Sequence, residues 1–416
     1  MKKVIMTLVI TFCVVILCNV KVGFTQEGQG VQQRLDYLES RISEITTVQE
    51  DNTSTIDSLK GLKDKVSLGF GMRTSFLTTE DAAGTKGDGR SGGRSWDKDF
   101  NVDNMRLYMG AKITDNISAT FNTEISNTTV ADDVRLLDAF VELKMLKDYF
   151  KIRFGRHLPA ADRYSLNGPY YQNSFQFPGL VVKYPNTLNG RVEGVSFWGL
   201  LADKKFKWQF SVAEGTEVSG GPNDDPDHFQ YSGHLVYNFW EPEPGFYNSG
   251  TYYGKKDVLA LGLAMFHQSD AVGTAAEPSD YTGWNVDFLL EKNFGWGTID
   301  IEAAYYDYNN HKAAATGALS DGQAWEAGFG YLYPEKIGWG QPQFVSRWQQ
   351  FDPTDNMTSA QFSQSKLELG LHYIIEGHNG MIALVYSNEH LGSGTGSDVD
   401  WNEDRSAVRL GMQFQH

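Results

Sequence analysis

The chain has 416 residues, of which 36 are basic and 52 acidic, giving a net charge of −16, with 43 glycines and 13% aromatics. That length fits one large β-barrel or two to three ordinary domains, and the acidity speaks against nucleic acid as a partner. The mean hydropathy is negative, which leaves a membrane barrel open, because alternating strands average to a soluble-looking value.

Residues 1–25 read as a secretory signal: Lys2 and Lys3, then the apolar run VIMTLVITFCVVILC, with a cut expected near Thr25-Gln26. Cys18 invites a lipid anchor, but Leu17 before it is larger than such a site takes. Cleavage removes Lys2, Lys3 and Lys21, taking the net charge from −16 to −19, and removes both cysteines, Cys13 and Cys18. An exported chain without thiols avoids disulfide errors in an oxidising compartment. After this segment no apolar run of about eighteen residues remains to form a spanning helix.

Residues 31–66 carry heptads, which sets the coiled-coil segment at 26–65. Leu35, Ile42, Gln49, Ile56 and Lys63 fall at one core position, and Val31, Leu38, Ile45, Asn52, Leu59 and Val66 at the other. The 3.5-residue seam is that of a coiled coil, and Ile at both positions of one layer leans towards three strands. The polar Gln49/Asn52 layer fixes register at some loss of stability.

From Val66 onward the period is two. The pattern predicts strands near 66–79, 102–114, 117–127, 134–146, 149–158, 191–202, 205–214, 228–240, 256–268, 281–292, 297–308, 322–333, 342–352, 364–376, 380–390 and 405–416. Each is about the ten residues that a tilted membrane strand needs. Short turns (Asp115-Asn116, Lys147-Asp148, Asp203-Lys204, Gly295-Trp296, Gly377–Asn379) alternate with long polar connections at 80–101, 159–190, 215–227, 269–280, 309–321, 353–363 and 391–404. The 128–133 link is shorter, and 241–255 is a long exception on the short side. That asymmetry suits an outer-membrane barrel and not a soluble sandwich.

One face of most strands is apolar. Met105, Leu107, Met109, Ala111 and Ile113 oppose Arg106, Tyr108 and Lys112. Leu137, Ala139, Val141, Leu143 and Met145 oppose Asp138, Phe140, Glu142 and Lys144. Phe206, Trp208, Phe210 and Val212 oppose Lys207, Gln209 and Ser211. Aromatics gather at strand ends, as in Tyr305-Tyr306-Tyr308, Tyr331-Tyr333 and Phe239-Trp240, like the girdles of a barrel. The expected fold is therefore all-β: a 16-stranded antiparallel transmembrane β-barrel over 66–416, with an N-terminal coiled-coil helix.

Over 104–160 the runs NMRLYMGAKITDNISATFNTE, LLDAFVELK and FKIRFGRHLP resemble the phosphate-selective porin O and P family. The resemblance lies in an Arg-bearing strand, a "DA(Y/F)V" strand and an "hxhG(R/Q)xxxP" strand leading into a pore loop. It implies a trimeric outer-membrane porin whose loop 159–190 folds inward as the constriction. Pro159, Pro169, Pro178 and Pro185 argue against strands in that loop, and Asp162, Arg163 and Lys183 are its candidate constriction residues.

The inward faces expected from the alternation make two charged walls. Arg106, Lys112, Lys144, Lys151, Arg153 and Lys207 form a basic wall, and Asp287, Glu291, Asp300, Glu302 and Glu326 an acidic one. Opposed walls of fixed charge tune ion selectivity. The acidic runs Asp224-Asp225-Asp227 and Asp398-Asp400-Glu403-Asp404 read as solvated loops. Gly87–Gly92 and Gly89–Gly93 match glycine patterns of dinucleotide sites and nucleophile elbows, but no helix follows them. His267 and His372 are the histidines that a rim-located Ser/His pair would use, and no partner motif accompanies either.

The sequence thus points to a non-enzymatic, cofactor-free, metal-free passive channel for small hydrophilic solutes in a Gram-negative outer membrane. Its expected partners are two further copies and membrane lipid or lipopolysaccharide, with the coiled coil in the periplasm, where peptidoglycan is a partner to test. Two alternatives stand beside this. In one the barrel anchors a tether to the cell wall; in the other the pore selects an oxyanion such as phosphate.

Overall fold

The computed structural model describes residues 34–47, 65–80, 96–125, 134–183, 190–215, 223, 228–311, 321–354, 363–391 and 403–416. Sixteen strands form one closed antiparallel barrel in which each strand pairs with its neighbour in sequence and β1 pairs with β16. The strands are β1 (Val66–Glu80), β2 (Trp96–Lys112), β3 (Ile117–Ile125), β4 (Val134–Leu146), β5 (Phe150–His157), β6 (Val192–Leu201), β7 (Phe206–Ala213) and β8 (Gln230–Asn238). They continue as β9 (Val258–Gly273), β10 (Pro278–Asn293), β11 (Thr298–Asn309), β12 (Gly322–Leu332), β13 (Gln341–Pro353), β14 (Gln364–Ile374), β15 (Gly380–Leu391) and β16 (Glu403–Gln415). Closure is by continuous register, from Thr79 opposite Ala407 to Gly71 opposite Gln415, so the sheet has no open edge.

The alternation that marks the strands also sorts their faces. Leu107, Met109, Phe154, Phe210, Leu235, Leu263, Leu371, Leu384 and Leu410 stay exposed on the outside. Their inward neighbours Arg106, Arg153, Lys207, Gln209, His234, Glu302 and Glu368 are buried within the barrel. An apolar exterior around a polar interior is the reverse of a water-soluble barrel.

Three differences from the sequence-based expectations have local causes. Leu137, expected on the outer face, is only 3% exposed. It is the extra residue of a bulge where Asn122 pairs with Asp138 and Thr123 with Leu136, and a bulge turns the phase of a strand. β2 starts at Trp96, six residues earlier than the pattern suggests, because Glu80–Thr74 of β1 pair with Trp96–Val102. The connection expected at 269–280 is mostly strand, since β9 and β10 run on to a turn closed by Thr274 N to Glu277 O and Glu277 N to Thr274 O, both 3.1 Å.

Residues 34–47 form a helix, in a unit separate from Lys65–His416. Arg41 and Glu44 pair across one turn at 2.7 Å. Leu35, Leu38, Ile42 and Ile45 are exposed along it. The seam residues Val31, Gln49, Asn52, Ile56, Leu59 and Lys63, and residues 1–25, lie outside the described residues. Among the described residues no helix is long and apolar enough to cross a membrane.

Candidate functional site: a barrel interior occupied from both ends

The connection between β5 and β6 dives into the barrel and crosses it. Its first anchor is Ala160 N, which donates to Ser211 Oγ on β7 at 2.8 Å. A five-residue helix, Arg163–Asn167, follows, with Asp162 as its N-cap accepting from Tyr164 N and Ser165 N. Tyr306 of β11 donates its hydroxyl to the same carboxylate at 2.9 Å. The chain then reaches the opposite wall. Gln413 of β16 donates to Tyr170 O at 3.0 Å, and Phe175 lies 4.0 Å from the Arg73 guanidinium of β1. Glycine makes room here: a Cβ at Gly71 would stand 2.7 Å from the Tyr170 ring, and one at Gly411 would strike Phe175. The return leg is held by Arg347, which donates to Gln176 O at 2.6 Å, and by Tyr308, whose hydroxyl donates to Val181 O at 2.9 Å.

A second segment enters from the short-turn end. Residues 239–257, between β8 and β9, fold inward instead of turning at the rim. Phe246 joins Leu158, Leu166, Trp198 and Leu200 in one apolar cluster. Lys207 donates to Gly245 O at 3.1 Å and to Asn248 Oδ1. Glu291 accepts from Tyr252 N, Gly254 N and the Thr251 hydroxyl.

The two inserts are bolted together. Both guanidinium amino groups of Arg163 donate to Glu243, at 2.8 and 2.6 Å, and Tyr252 donates its hydroxyl to the same carboxylate at 2.6 Å. Neither partner touches solvent. Burial alone would raise the Glu243 carboxyl, but Arg163, helped by Lys207 and Tyr252, outweighs it and holds the group down at about 2. Gly250 N donates to Tyr171 O at 2.7 Å. His378, in the β14–β15 turn, sets its ring nitrogens 3.1 Å from Tyr170 O and 2.9 Å from Thr251 O, so it touches both inserts.

A cavity of about 710 Å³ lies between the first insert and the wall formed by β13–β16 and β1–β3. Six basic residues line it (Arg73, Arg106, Lys183, Arg191, Lys366 and Arg409) against three acidic ones (Asp103, Glu124 and Glu389). Arg106 pairs with Glu124 at 3.2 Å and Arg409 with Asp103 at 2.7 Å. Arg73 hydrogen-bonds Asn104 at 3.5 Å, and its Nε, buried, has no partner among the described residues. Lys183 lies 5.1 Å over the Phe351 ring. Its ammonium sits below its ordinary value because it is buried, with Glu389 opposing that effect.

The residues singled out from the sequence thus divide. Arg106 and Lys183 line the cavity. Lys112 is exposed and pairs with Asp115 at 2.7 Å, while Lys144, directly opposite Lys151, is exposed too. Lys151, Arg153 and Lys207 point inward but are covered; Arg153 pairs with Glu142 at 2.9 Å and stacks 4.0 Å from Phe246. Asp287, Glu291, Asp300, Glu302 and Glu326 point inward beneath the inserts, each buried. Asp300 accepts from Asn173 at 2.7 Å, and Asp287 faces Arg163 at 3.6 Å and His234 at 3.4 Å. Asp162 and Arg163 hold the inserts and do not line the cavity.

Sequence reasoning missed Arg73, Arg191, Lys366, Arg409 and above all Glu243. The signal for Glu243 was present: EPEPGFYNSGTYYG is too aromatic for a solvated turn. His372 faces inward and is buried. His267 has Ser269 Oγ 3.4 Å from Nε2, with no third group orienting the ring among the described residues. No group of three or more His, Cys, Asp or Glu among the described residues could hold a metal ion. The glycine patterns at 87–93, Asp224-Asp225-Asp227, Asp398, Asp400 and Pro185 lie outside the described residues.

No family model matches the sequence, and no curated protein matches it. Solved structures do. An anion-selective porin from Comamonas acidovorans shares 14% identity, with 84% of this chain and 99% of that chain covered and a TM-score of 0.56. OprB of Pseudomonas putida shares 9%, covering 86% of this chain and 96% of that one, at 0.60. The outer membrane channel DcaP of Acinetobacter baumannii shares 13%, covering 84% and 97%, at 0.52. At such identities the likeness establishes the fold, a porin-like closed barrel.

Proposed function

We propose that the chain is an outer-membrane porin, a passive channel for small hydrophilic solutes and ions, working as a homotrimer. The observation that carries this reading is the polar cavity inside a barrel whose exterior is apolar, 710 Å³ of water-accommodating space bounded by the crossing insert. The insert 159–190 and the short-side segment 239–257 together set the constriction. The helix 34–47, with its uncovered apolar seam, belongs to a periplasmic coiled coil. The solute meets a mixed-charge wall, and the excess of basic over acidic residues around the cavity, in a chain of net charge −16, favours anions. That excess also supports the narrower reading, an oxyanion-selective pore, because arginine forks match oxyanion geometry.

Purified protein in a planar bilayer is expected to give stepwise, ohmic conductance. A barrel serving only as an anchor gives none, and that result would overturn the porin reading. Removal of 31–65 separates pore from tether: conductance persists if the helix serves assembly alone.

A further inference from the structure

We propose that the cavity takes an organic anion with an apolar body, of the aromatic carboxylate class, its head against the barrel wall and its body against the first insert. This names the solute class of the proposed channel and rests on that reading.

The cavity has two unlike sides. Every lining residue that the barrel wall contributes is charged or carries an amide, and none of them is apolar. The side formed by the insert is the opposite. It presents Leu158, Pro169, Phe175, Phe177 and Leu180, and among the described residues Lys183 is its one charged lining residue. Leu158, Phe175 and Leu180 are spent largely on packing, each 9% exposed or less. Pro169 and Phe177 stay half-buried at the cavity. Glycines nearby keep space open: a Cβ at Gly168 would come no closer than 3.9 Å to Arg106 Nη1, and one at Gly179 no closer than 3.9 Å to the Phe177 ring.

The wall supplies a place for the head group. Arg106 and Arg409 are matched by Glu124 and Asp103. Arg73 is less well matched. Its hydrogen bond to Asn104 is 3.5 Å long, and its buried Nε has no partner among the described residues. The guanidinium lies 4.0 Å from the Phe175 ring, so Arg73 stands at the seam where the polar and apolar sides meet. A carboxylate accepts from a guanidinium and from amides, and Asn104, Gln349 and Gln364 bring amides to the same wall.

The apolar side then selects the body. Inorganic phosphate is polar all round and would leave the insert's apolar surface facing water. A carboxylate carried on an aromatic ring satisfies both sides at once, with charge-assisted hydrogen bonds at its head and apolar contact along its ring. The volume, about 710 Å³, lies in the range of pockets that hold small organic ligands. Passage requires that such binding stay weak enough for release.

The test is calorimetry on the purified full-length protein in detergent at neutral pH, with benzoate, acetate and inorganic phosphate as probes. Benzoate is expected to bind roughly tenfold tighter than either of the others, the scale on which partial burial of a ring contributes. Equal binding of benzoate and acetate overturns the proposal, as does phosphate binding tightest or no binding by any probe. That ranking is read on the wild type and needs no variant to fold. Arg73→Ser is expected to weaken benzoate and acetate alike. Phe177→Gln is expected to bring benzoate down to the level of acetate, with acetate binding and the thermal midpoint unchanged; a benzoate preference that survives Phe177→Gln contradicts the assignment of the apolar side. Calorimetry needs no conductance. Benzoate binding without channel steps would sink the porin reading and keep the site, whereas channel steps without a benzoate preference would do the reverse.

Discussion

The two halves of the barrel interior differ in what their charges do. Along β7 and β10–β12, Lys207, Asp287, Glu291 and Asp300 are spent on the inserts: they accept from or donate to Gly245, Arg163, Tyr252 and Asn173. Along β13–β16 and β1–β3, Arg73, Arg106, Lys366 and Arg409 line the cavity. Both halves have the same strand period and the same inward polarity. What separates them is where two inserts, one from each end, come to rest. Fixed charge under an insert acts as an anchor, and only charge beside the cavity can act on a solute.

The largest effect on this contrast comes from unbolting the inserts. Glu243→Ala leaves Arg163 buried with no bidentate partner. Breaking such a pair costs about 3–5 kcal/mol, so a lower thermal midpoint is expected together with larger, noisier single-channel steps; unchanged steps would mean that the bolt does not hold the constriction. A smaller effect is expected at Gly71→Val. Its branched side chain meets the Tyr170 ring, already 2.7 Å from a Cβ there, and displaces the insert from β1. Conductance changes measurably while the barrel loses about 1–3 kcal/mol of stability. Third, His378→Ala removes the contact of the β14–β15 turn with both inserts, at about 1 kcal/mol, and should raise the frequency of brief openings without a new conductance level.

The smallest effect is one of pH. The Glu243 carboxyl lies at about 2, below its ordinary value of 4.5. A depressed carboxylate contributes stability above the ordinary value and loses it as pH falls towards the folded one. The difference in conductance between wild type and Glu243→Gln is therefore constant from pH 8 to 5 and closes as pH approaches 2. A midpoint between 5 and 8 in that difference would contradict the arrangement.

The barrel was legible because each strand repeats one simple signal many times. Leu107, Met109 and Phe210 sit on the outside as alternation requires, and a closed sheet of sixteen strands follows from the turn rhythm. Leu137 departs because a bulge is a one-residue event that the pattern does not announce. The interior was less legible for a different reason. Whether Lys207 meets water depends on Gly245 and Asn248, 38 and 41 residues away, and Arg163 finds Glu243 80 residues on. Strand period carries no information about such contacts. Arg73 and Arg409 were overlooked because each is flanked along its strand by small and apolar residues, and only closure of the barrel brings them together around Phe175 and Gln176.

The inserts decide which charges reach the solute. The most direct test is the zero-current potential of purified protein in a planar bilayer under a KCl gradient, for wild type, Arg73→Ser and Glu302→Gln. Anion preference is expected in the wild type, with a clear loss of it in Arg73→Ser and no shift in Glu302→Gln. A cation-selective wild type, or a potential that follows Glu302 and ignores Arg73, would contradict it.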